Sequence, residues 1–423
     1  MGHTKKLLSG LVIVLMMFLM VGTGLAASKV TIRFQDWRLA EKPAGPCLEE
    51  MVKAFEKQNP DIKVILDPVS VNDKLTKFVT QSRGGDPPDV VRILTTDVPG
   101  FVEMGLLRPL DDLVEKAGGK TFLKDFTPYL VKAMTIKGKL YGIPHEGDAL
   151  VIYYNTDMFR KAGLDPNSPP QTWDEFLAAS KKLTNPAEGH WAFGMLASPA
   201  IASIWMQSWF LANGSNFFNE DYTDTLIDSP AGIEAFKYYV ELYTKHGVVP
   251  PGPTDVDYAA QVNLFAQQKV AMIVGPFATY GGIFAANPEL KGKVKMMQFP
   301  GKVKASSGRG TVFAIASASK HPDAAWELIE FLNSPANQLK FFREATMMPT
   351  RQSVFASKEI SGNPELAVML KAMSTAVSYP IYHRWAEADR ELVNALHAAL
   401  LKVKTPEQAA KDAGVAIRAL MKK

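Results

Sequence analysis

A repeated order of strand, helix and strand is the feature that most constrains the fold of this chain. Val30 to Phe34 is a β-branched and aromatic run, residues 48–55 place apolar side chains at helical spacing, and residues 62–66 alternate as a second strand. After a further helical segment, Asp89 to Leu94 forms a nearly continuous apolar run, a pattern typical of a sheet that is covered on both faces. This order predicts an α/β fold.

The length of the chain, 423 residues, exceeds what one hydrophobic core supports, so we expect two α/β lobes. Gly138 to Asn155 is the stretch where the chain would pass from one lobe to the other. A hairpin ends the first series of elements, and Ala149 to Tyr154 is a strand that begins a second series. Polar side chains at this passage, here His145, Glu146 and Asp148, are predicted to lie at the floor of a cleft between the lobes.

The charge of the chain argues against a nucleic-acid partner. The formal net charge is +4, and it falls to +2 if Lys5 and Lys6 are removed with a leader, because 45 basic residues then face 43 acidic ones. No run of like charge and no basic stripe interleaved with aromatic residues occurs. Cys47 is the single cysteine, and no histidine or cysteine lies at metal-ligand spacing from His145. We therefore expect no internal disulfide, no metal and no other cofactor.

The N-terminus carries the pattern of a secretory signal peptide, predicted over residues 1–27. Lys5-Lys6 is the positive region, Leu7 to Val21 is the apolar region, and Gly22 to Ala27 supplies small residues for cleavage. An uncleaved membrane anchor is the alternative, but the apolar run is short for a bilayer span. No cysteine directly follows the apolar region, as a lipoprotein leader would require. The mature chain is therefore expected to be a soluble periplasmic protein.

Several motifs, taken in their order along the chain, resemble one family. They are Phe55-Glu-Lys-Gln-Asn-Pro-Asp-Ile-Lys-Val64, Gly85-Asp-Pro-Pro-Asp-Val90, Gly105-Leu-Leu-Arg-Pro-Leu110, Lys139-Leu-Tyr-Gly-Ile-Pro144 with Tyr153-Tyr-Asn155, Lys269-Val-Ala-Met-Ile-Val-Gly-Pro276 and Ala324-Ala-Trp-Glu-Leu-Ile-Glu-Phe-Leu332. The chain resembles the extracellular solute-binding proteins of ABC importers, in particular the carbohydrate-binding branch that includes maltose-binding protein. The resemblance covers nearly all of the mature chain, but none of these motifs is specific for one ligand.

This resemblance implies a two-lobe periplasmic-binding-protein fold, a clamshell whose lobes are joined by three hinge crossings. The crossings would lie near Pro144 to Ala149, Gly308 to Thr311 and Asn333 to Ala336. The N-lobe would combine residues 28–146 with 312–332, and the C-lobe would combine residues 147–311 with 333–423. Such a protein, expected to be a monomer, would capture a small solute by hinge closure and deliver it to the permease subunits of an ABC transporter in the inner membrane.

Candidate ligand-binding residues follow from where the strands end, since ligands of open α/β sheets bind beyond the carboxyl ends of strands. Three strands end in suitable segments, Gln35 to Arg38, Thr95 to Asp97 and Gly275 to Tyr280. The crossings and two tryptophan-containing segments add the other candidates. The predicted ligand-binding residues are Trp37, Arg38, Thr95, Thr96, Asp97, Glu146, Asp148, Trp205, Trp209, Phe277, Tyr280, Arg309, Gly310, Arg384 and Trp385.

These residue types suit a mono- or oligosaccharide. One face of a pyranose carries C–H groups that pack on an aromatic ring, and its rim of hydroxyls needs paired donors and acceptors. Each aromatic candidate could instead belong to a core, and each charged candidate could be a surface charge or part of a structural salt bridge. Phe277 stands where members of the family often carry tryptophan, which weakens the case for a sugar stacked there. The stacking candidates are Trp37, Trp205, Trp209, Tyr280 and Trp385.

Two other functions remain open at this point. Arg38, Arg309 and Arg384 could bind a carboxylate or phosphate through paired hydrogen bonds, which would make the ligand an acidic sugar or a glycerophosphate-like solute. A secreted carbohydrate-active enzyme is less favoured, because Glu146 and Asp148 stand two residues apart on one strand and point the same way, too close to flank a scissile bond. No Gly-x-Ser-x-Gly, Walker or His-Glu-x-x-His motif occurs. The sequence therefore favours a binding protein that is not an enzyme.

Overall fold

The computed structural model describes residues 29–70, 73–199, 201–380, 382 and 384–422. The predicted signal peptide, residues 1–27, lies outside these described residues. Among the helices that are described, none is both long enough and apolar enough to cross a membrane.

Strands and helices alternate through most of the described residues. The strands are β1 (Val30–Asp36), β2 (Ile62–Pro68), β3 (Val90–Leu94), β4 (Thr135–Ile136), β5 (Lys139–Leu140), β6 (Ile143–Ala149), β7 (Val151–Asn155), β8 (Trp191–Gly194), β9 (Val270–Gly275), β10 (Val294–Met297), β11 (Ser307–Ile315) and β12 (Val377–Ser378). The helices are α1 (Ala44–Gln58), α2 (Lys74–Arg83), α3 (Val98–Glu103), α4 (Asp111–Lys116), α5 (Lys120–Lys124), α6 (Pro128–Met134), α7 (Thr156–Lys161), α8 (Trp173–Leu183), α9 (Ala202–Ala212), α10 (Pro230–Thr244), α11 (Tyr258–Ala266), α12 (Ala278–Ala286), α13 (Pro322–Leu332), α14 (Pro335–Ala345), α15 (Gln352–Phe355), α16 (Lys358–Ser361), α17 (Pro364–Ser374), α18 (Trp385–Leu400) and α19 (Pro406–Met421).

The first sheet organises the N-lobe. Its strands follow the order β12-β11-β3-β1-β2, and β6 also pairs with β11. β1 runs parallel to β2 and β3, which confirms the predicted β-α-β series, whereas β11 is antiparallel to β3 and β6. The buried side of α1, which carries Leu48, Met51 and Phe55, joins the buried strand residues in one hydrophobic cluster, the first core.

The second sheet organises the C-lobe and has the order β10-β7-β9-β8. Successive side chains of a strand point to opposite faces, so β7 serves two cores. Ile152 and Tyr154 enter a second core with side chains of α9, α10, α18 and α19, whereas Val151 and Tyr153 enter a third core with side chains of α11, α12 and α17. Helices therefore cover both faces of this sheet, and the predicted α/β class is confirmed.

The chain passes between the sheets at places close to two of the expected crossings. β6 belongs to the first sheet and β7 to the second, although Leu150 alone separates them. The chain returns between β10 and β11, because β11 joins the first sheet at Ser307. The first sheet therefore includes β6 up to Ala149 and β11 from Ser307 onward. The predicted boundaries of the N-lobe were residue 146 and residue 312.

The third passage lies later in the chain than predicted. The C-lobe was expected to resume at residue 333, but Phe341 and Ala345 of α14 are buried in the first core. The Phe341 ring lies 5.0 Å, between centroids, from the ring of His145. These two apolar residues are spaced by four, so they share one face of α14 and hold that face on the N-lobe. Leu339 and Phe342 of the same helix pack against the third core. Helix α13 therefore ends before Asn333, but the N-lobe continues into α14.

Gly310 lies where β11 approaches β6 and α6 most closely. A Cβ added at this position would lie 2.5 Å from Leu130 Cδ2 and 2.6 Å from the carbonyl oxygen of Glu146. Replacing Gly310 with Ala is therefore expected to lower the free energy of unfolding by about 1–3 kcal/mol, the usual cost of overpacking. Gly281→Ala is the matched control, because outside the neighbouring backbone of its own helix no atom of the described residues lies within 4 Å of its added Cβ. Urea unfolding measures both variants, and equal stabilities would contradict this close approach.

Candidate functional site

A cleft of about 470 Å³ lies between the two lobes. Its N-lobe wall comprises the segment after β3 together with residues of α2 and α3, and its C-lobe wall includes residues of α9 and α18. β11 and the segment after β12 complete the lining. The lining residues are Leu75, Leu94, Thr95, Thr96, Asp97, Pro99, Gly100, Phe101, Met104, Ile204, Arg309, Gly310, Tyr379, Tyr382, Trp385 and Ala386.

Two adjacent strands bring several predicted residues into this cleft. β3 ends at Leu94, and the backbone N–H of Thr95 donates to the carbonyl oxygen of Gly310 on β11 at 3.1 Å. The end of β3 and the start of β11 therefore meet at one edge of the first sheet. The predicted residues that line the cleft are Thr95, Thr96, Asp97, Arg309, Gly310 and Trp385.

Asp97 offers the cleft an unsatisfied acceptor. Its Oδ2 is buried and has no hydrogen-bond partner among the described residues, and Oδ1 lies 3.5 Å from the Thr96 hydroxyl. Burial raises the pKa of Asp97, although the nearby Lys74 ammonium lowers it. A buried acceptor without a donor costs free energy, so a hydroxyl that donated to Oδ2 would remove that cost.

Arg309 offers the cleft a charged donor. Its side chain is exposed, and its guanidinium makes no hydrogen bond or ion pair with any residue in the described part of the chain. Burial by the surrounding protein lowers the pKa of Arg309, but Tyr379 and Asp148 raise it, and the net effect is a pKa above the ordinary value. The side chain is therefore a permanent cation that is surrounded by protein and still open to solvent.

Aromatic side chains from the C-terminal part of the chain complete the cleft. The hydroxyl of Tyr379 is buried without a hydrogen-bond partner among the described residues, and burial raises the pKa of this phenol. Trp385 is half-buried, and its ring stacks with that of Phe217 at 6.5 Å between centroids and 18° between planes. Trp385 is thus held by the second core while part of it faces the cleft.

Two residues that were predicted to bind ligand, Arg38 and Glu146, instead take part in a network of ion pairs. Arg92, whose side chain is fully buried, donates to Asp36 at 2.7 Å and to Glu146 at 3.3 Å. Arg38 donates to Glu146 at 2.7 Å and to Glu41 at 2.6 Å. Burial raises the pKa of Glu146, but Arg38 and Arg92 lower it below its ordinary value. Glu146 and Arg38 therefore bind each other in this structure and do not line the cleft.

Asp148 joins the two lobes instead of lining the cleft. Both of its carboxylate oxygens accept from the backbone N–H of Phe277 at 3.0 Å, and Oδ1 also accepts from the N–H of Ala149 at 2.8 Å. Burial raises the pKa of Asp148 to about 7, although Arg309 and the two backbone N–H donors have the opposite effect and lower it. The carboxylate thus connects the end of β6 in the N-lobe to the start of α12 in the C-lobe.

Trp205 and Trp209, predicted as stacking residues, both lie in the second core. The indole N–H of Trp205 donates to the carbonyl oxygen of Val274 at 2.9 Å, and only 4% of the residue is exposed. Trp209 has no exposed surface and packs against several rings, among them Phe176 at 5.2 Å. Trp209 therefore has no face free for a ligand, and Trp205 has almost none.

The other predicted residues also lie outside the cleft lining. Trp37 is buried, and the guanidinium of Arg92 lies 5.7 Å from its ring. Phe277 belongs to the third core, and Tyr280 packs against that core. Their rings stack with 6.4 Å between centroids and 14° between planes. Arg384 donates to the carboxylate of Glu387 and to the carbonyl oxygen of Leu420 at 2.8 Å. The structure does not bring these four residues to the cleft.

Several cleft residues were missed by the sequence reasoning. Tyr379 and Tyr382 stand just before Arg384-Trp385, so an aromatic cluster around the predicted tryptophan was the signal for them. Leu75 and Met104 are apolar yet 36% and 44% exposed, and no sequence pattern reveals such exposure. Within the described ranges, no three side chains of metal-ligating type come together.

The sequence matches one family model over most of its length. Residues 41–339 match the model for bacterial extracellular solute-binding proteins. A putative binding protein of Brucella abortus (strain 2308) is 28% identical over 381 residues, which is 90% of this chain and 90% of that protein.

Solved structures resemble the fold over nearly the whole chain. An ABC transporter solute-binding protein from Thermotoga lettingae, bound with α-D-tagatose, is 27% identical with a TM-score of 0.77, and the alignment covers 93% of this chain and 100% of that one. A maltose-bound MalE3 protein of T. maritima is 25% identical with a TM-score of 0.75, and the alignment covers 93% and 99% of the two chains.

Proposed function

Because the chain belongs to the bacterial extracellular solute-binding proteins, which serve ABC transporters, we propose that it captures a carbohydrate in the cleft between its lobes. In this proposal the mature protein is a periplasmic monomer that delivers its ligand to permease subunits in the inner membrane. The observation that supports it best is the unsatisfied Oδ2 of Asp97, which lines the same cleft as the free Arg309 and the half-buried Trp385.

The chemistry of these groups matches that of a sugar. The exposed part of Trp385 suits the C–H face of a pyranose, and the exposed apolar side chains of Leu75 and Met104 lie in the same cleft. Asp97 can accept from hydroxyl groups, and Arg309 can donate to hydroxyl or carboxylate oxygens. The relatives solved with α-D-tagatose and with maltose are consistent with a ligand of this class.

We also propose that the protein does not turn its ligand over. Glycoside hydrolysis usually needs two carboxyl groups on either side of the scissile bond. In this structure Glu146 is held by two arginines, and Asp148 is held by backbone N–H groups at the start of α12. Asp97 is the cleft carboxylate with an unpartnered oxygen in the described part of the chain, so a second group for such chemistry is lacking there.

Binding and closure are tested together with a panel of monosaccharides and oligosaccharides. A member that binds should raise the melting temperature, because ligand that binds only the folded state stabilises it. With that member at saturation, small-angle scattering should give a smaller radius of gyration, as hinge closure requires. The bound sugar should be recovered unchanged. An unaltered radius would contradict closure, the appearance of product would contradict a pure binding role, and no stabilisation by any sugar would contradict carbohydrate binding.

A further inference from the structure

The backbone on both sides of Arg309 packs closely against α6, so the side chain of Arg309 points to the opposite face of β11. Gly308 and Gly310 flank it on β11, and a Cβ added at either would collide, with Tyr129 at 2.7 Å and with Leu130 at 2.5 Å respectively. Alternate residues of a strand point to opposite faces, so Arg309 projects away from α6, which carries Tyr129 and Leu130. That side is the cleft, which Arg309 lines.

The carboxylates nearest to Arg309 in the fold are already engaged. Asp148 is its cross-strand partner on β6, but both Asp148 oxygens accept from the N–H of Phe277. The two oxygens of Glu146 accept from Arg38 and Arg92. Although burial lowers the pKa of Arg309, Asp148 and Glu146 raise it without binding the guanidinium, so every N–H donor of that side chain is available to a ligand.

Closure of the cleft would remove water from this cation. A buried charge is costly unless it is paired and hydrogen-bonded, and a planar guanidinium matches the two oxygens of a carboxylate or phosphate. We propose, on the basis of the proposed function, that Arg309 selects solutes that carry an anionic group on a hydroxylated body. The hydroxylated part would extend toward Asp97, because a like charge at Asp97 repels the anionic group and its free Oδ2 accepts from hydroxyls.

Two matched pairs of probes test this selection on the full mature chain. Glucose is compared with glucuronate, and glycerol with glycerol 3-phosphate, so that each pair differs in an anionic group and the pairs separate carboxylate from phosphate. Calorimetric titration should show that at least one anionic member binds about tenfold or more tightly than its neutral partner, the scale of a charge-assisted hydrogen bond. Raising the salt concentration should reduce that preference.

Three variants assign the preference to Arg309. Arg309→Gln should reduce binding of the anionic member by about tenfold or more and leave the neutral member within a few-fold. Arg309→Lys keeps the charge and should retain part of the preference, which provides a second test if the glutamine variant does not fold. Arg390→Gln removes the same charge from an exposed position of α18 outside the cleft lining and should behave like the wild-type chain.

The outcomes separate this inference from the proposed function. If a neutral sugar binds and its anionic counterpart binds no better, the selection is wrong while carbohydrate capture stands. Loss of preference in Arg390→Gln as well as in Arg309→Gln would also overturn it, because net charge rather than Arg309 would then be responsible. If no neutral or anionic probe and no sugar of the wider panel stabilises the protein, both the inference and carbohydrate capture are wrong.

Discussion

Replacing Trp209 with Ala is expected to lower the free energy of unfolding of the C-lobe by about 3–5 kcal/mol, the usual cost of truncating a buried tryptophan. The side chain has no exposed surface, and the rings of Phe176, Phe193 and Phe299 lie 5.2–5.7 Å from it. These rings belong to one rigid core, so we expect them to fill the cavity incompletely. Thermal and urea unfolding measure the loss.

Trp385→Ala is the matched control, because this tryptophan is half-buried and lines the cleft. It should lose less stability than Trp209→Ala and weaken ligand binding by about 1–3 kcal/mol, the scale of a buried aromatic contact. Trp209→Ala, measured well below its melting temperature, should keep the affinity of the wild-type chain. If Trp209→Ala weakened binding while it kept full stability, the assignment of Trp209 to the second core would be wrong.

Asp36→Ala is expected to lower the free energy of unfolding of the N-lobe by about 3–5 kcal/mol, because it removes the closer of the two carboxylate partners of a buried cation. Asp36 and Arg92 have fully buried side chains, and Arg92 Nε lies 2.7 Å from Asp36 Oδ2. The remaining contacts of Arg92, with Glu146 at 3.3 Å and with the Thr311 hydroxyl at 2.7 Å, do not replace this pair. Denaturant unfolding at neutral pH measures the change.

Two controls separate charge from packing in this experiment. Asp157→Ala, which removes the partly exposed ion pair of Asp157 with Arg160, should lower the free energy of unfolding by at most about 1 kcal/mol. The double variant Asp36→Leu with Arg92→Met removes both charges and should recover much of the loss, since apolar replacements of a buried pair are often well tolerated. A double variant as unstable as Asp36→Ala would show that the loss came from packing rather than from the unpaired charge.

The ion pairs of Glu146 with Arg38 and Arg92 also predict how the stability of the folded state changes with pH. Arg38 and Arg92 lower the pKa of Glu146, although burial raises it. Ionised Glu146 therefore stabilises the folded state at neutral pH, and that contribution is lost as the pH falls through the range in which the carboxyl group titrates.

Sequence periodicity predicted the secondary structure well and the third passage between lobes poorly. The alternating runs at residues 62–66 and the apolar run before Leu94 form β2 and β3, because short apolar segments next to turns have few alternatives. Asn333 does end a helix, but the lobe continues because Phe341 packs on His145, a contact between residues far apart in the chain.

Of the three strand ends that were expected to carry ligand-binding residues, the segment after β3 lines the cleft, whereas the segments after β1 and β9 do not. Thr95 to Asp97 followed from the end of β3, and Arg309 and Gly310 followed from the predicted crossing at Gly308 to Thr311. Trp205 and Trp209 could not be assigned, because α9 is apolar around nearly its whole circumference and has no distinct face. The engagement of Glu146 by Arg38 joins residues 108 positions apart, which no local pattern reveals.

The position of β11 has a consequence for the order of folding. This strand pairs with β3 on one side and β6 on the other, yet it begins only at Ser307. A chain that ends before Ser307 therefore leaves two strand edges of the N-lobe unpaired, and the second core still lacks α18 and α19. Neither lobe can be completed before the C-terminal part of the chain is present. Folding therefore depends on contacts between distant segments and should be slow for the size of each lobe. Cutting the chain at any single point should not release a lobe that folds alone.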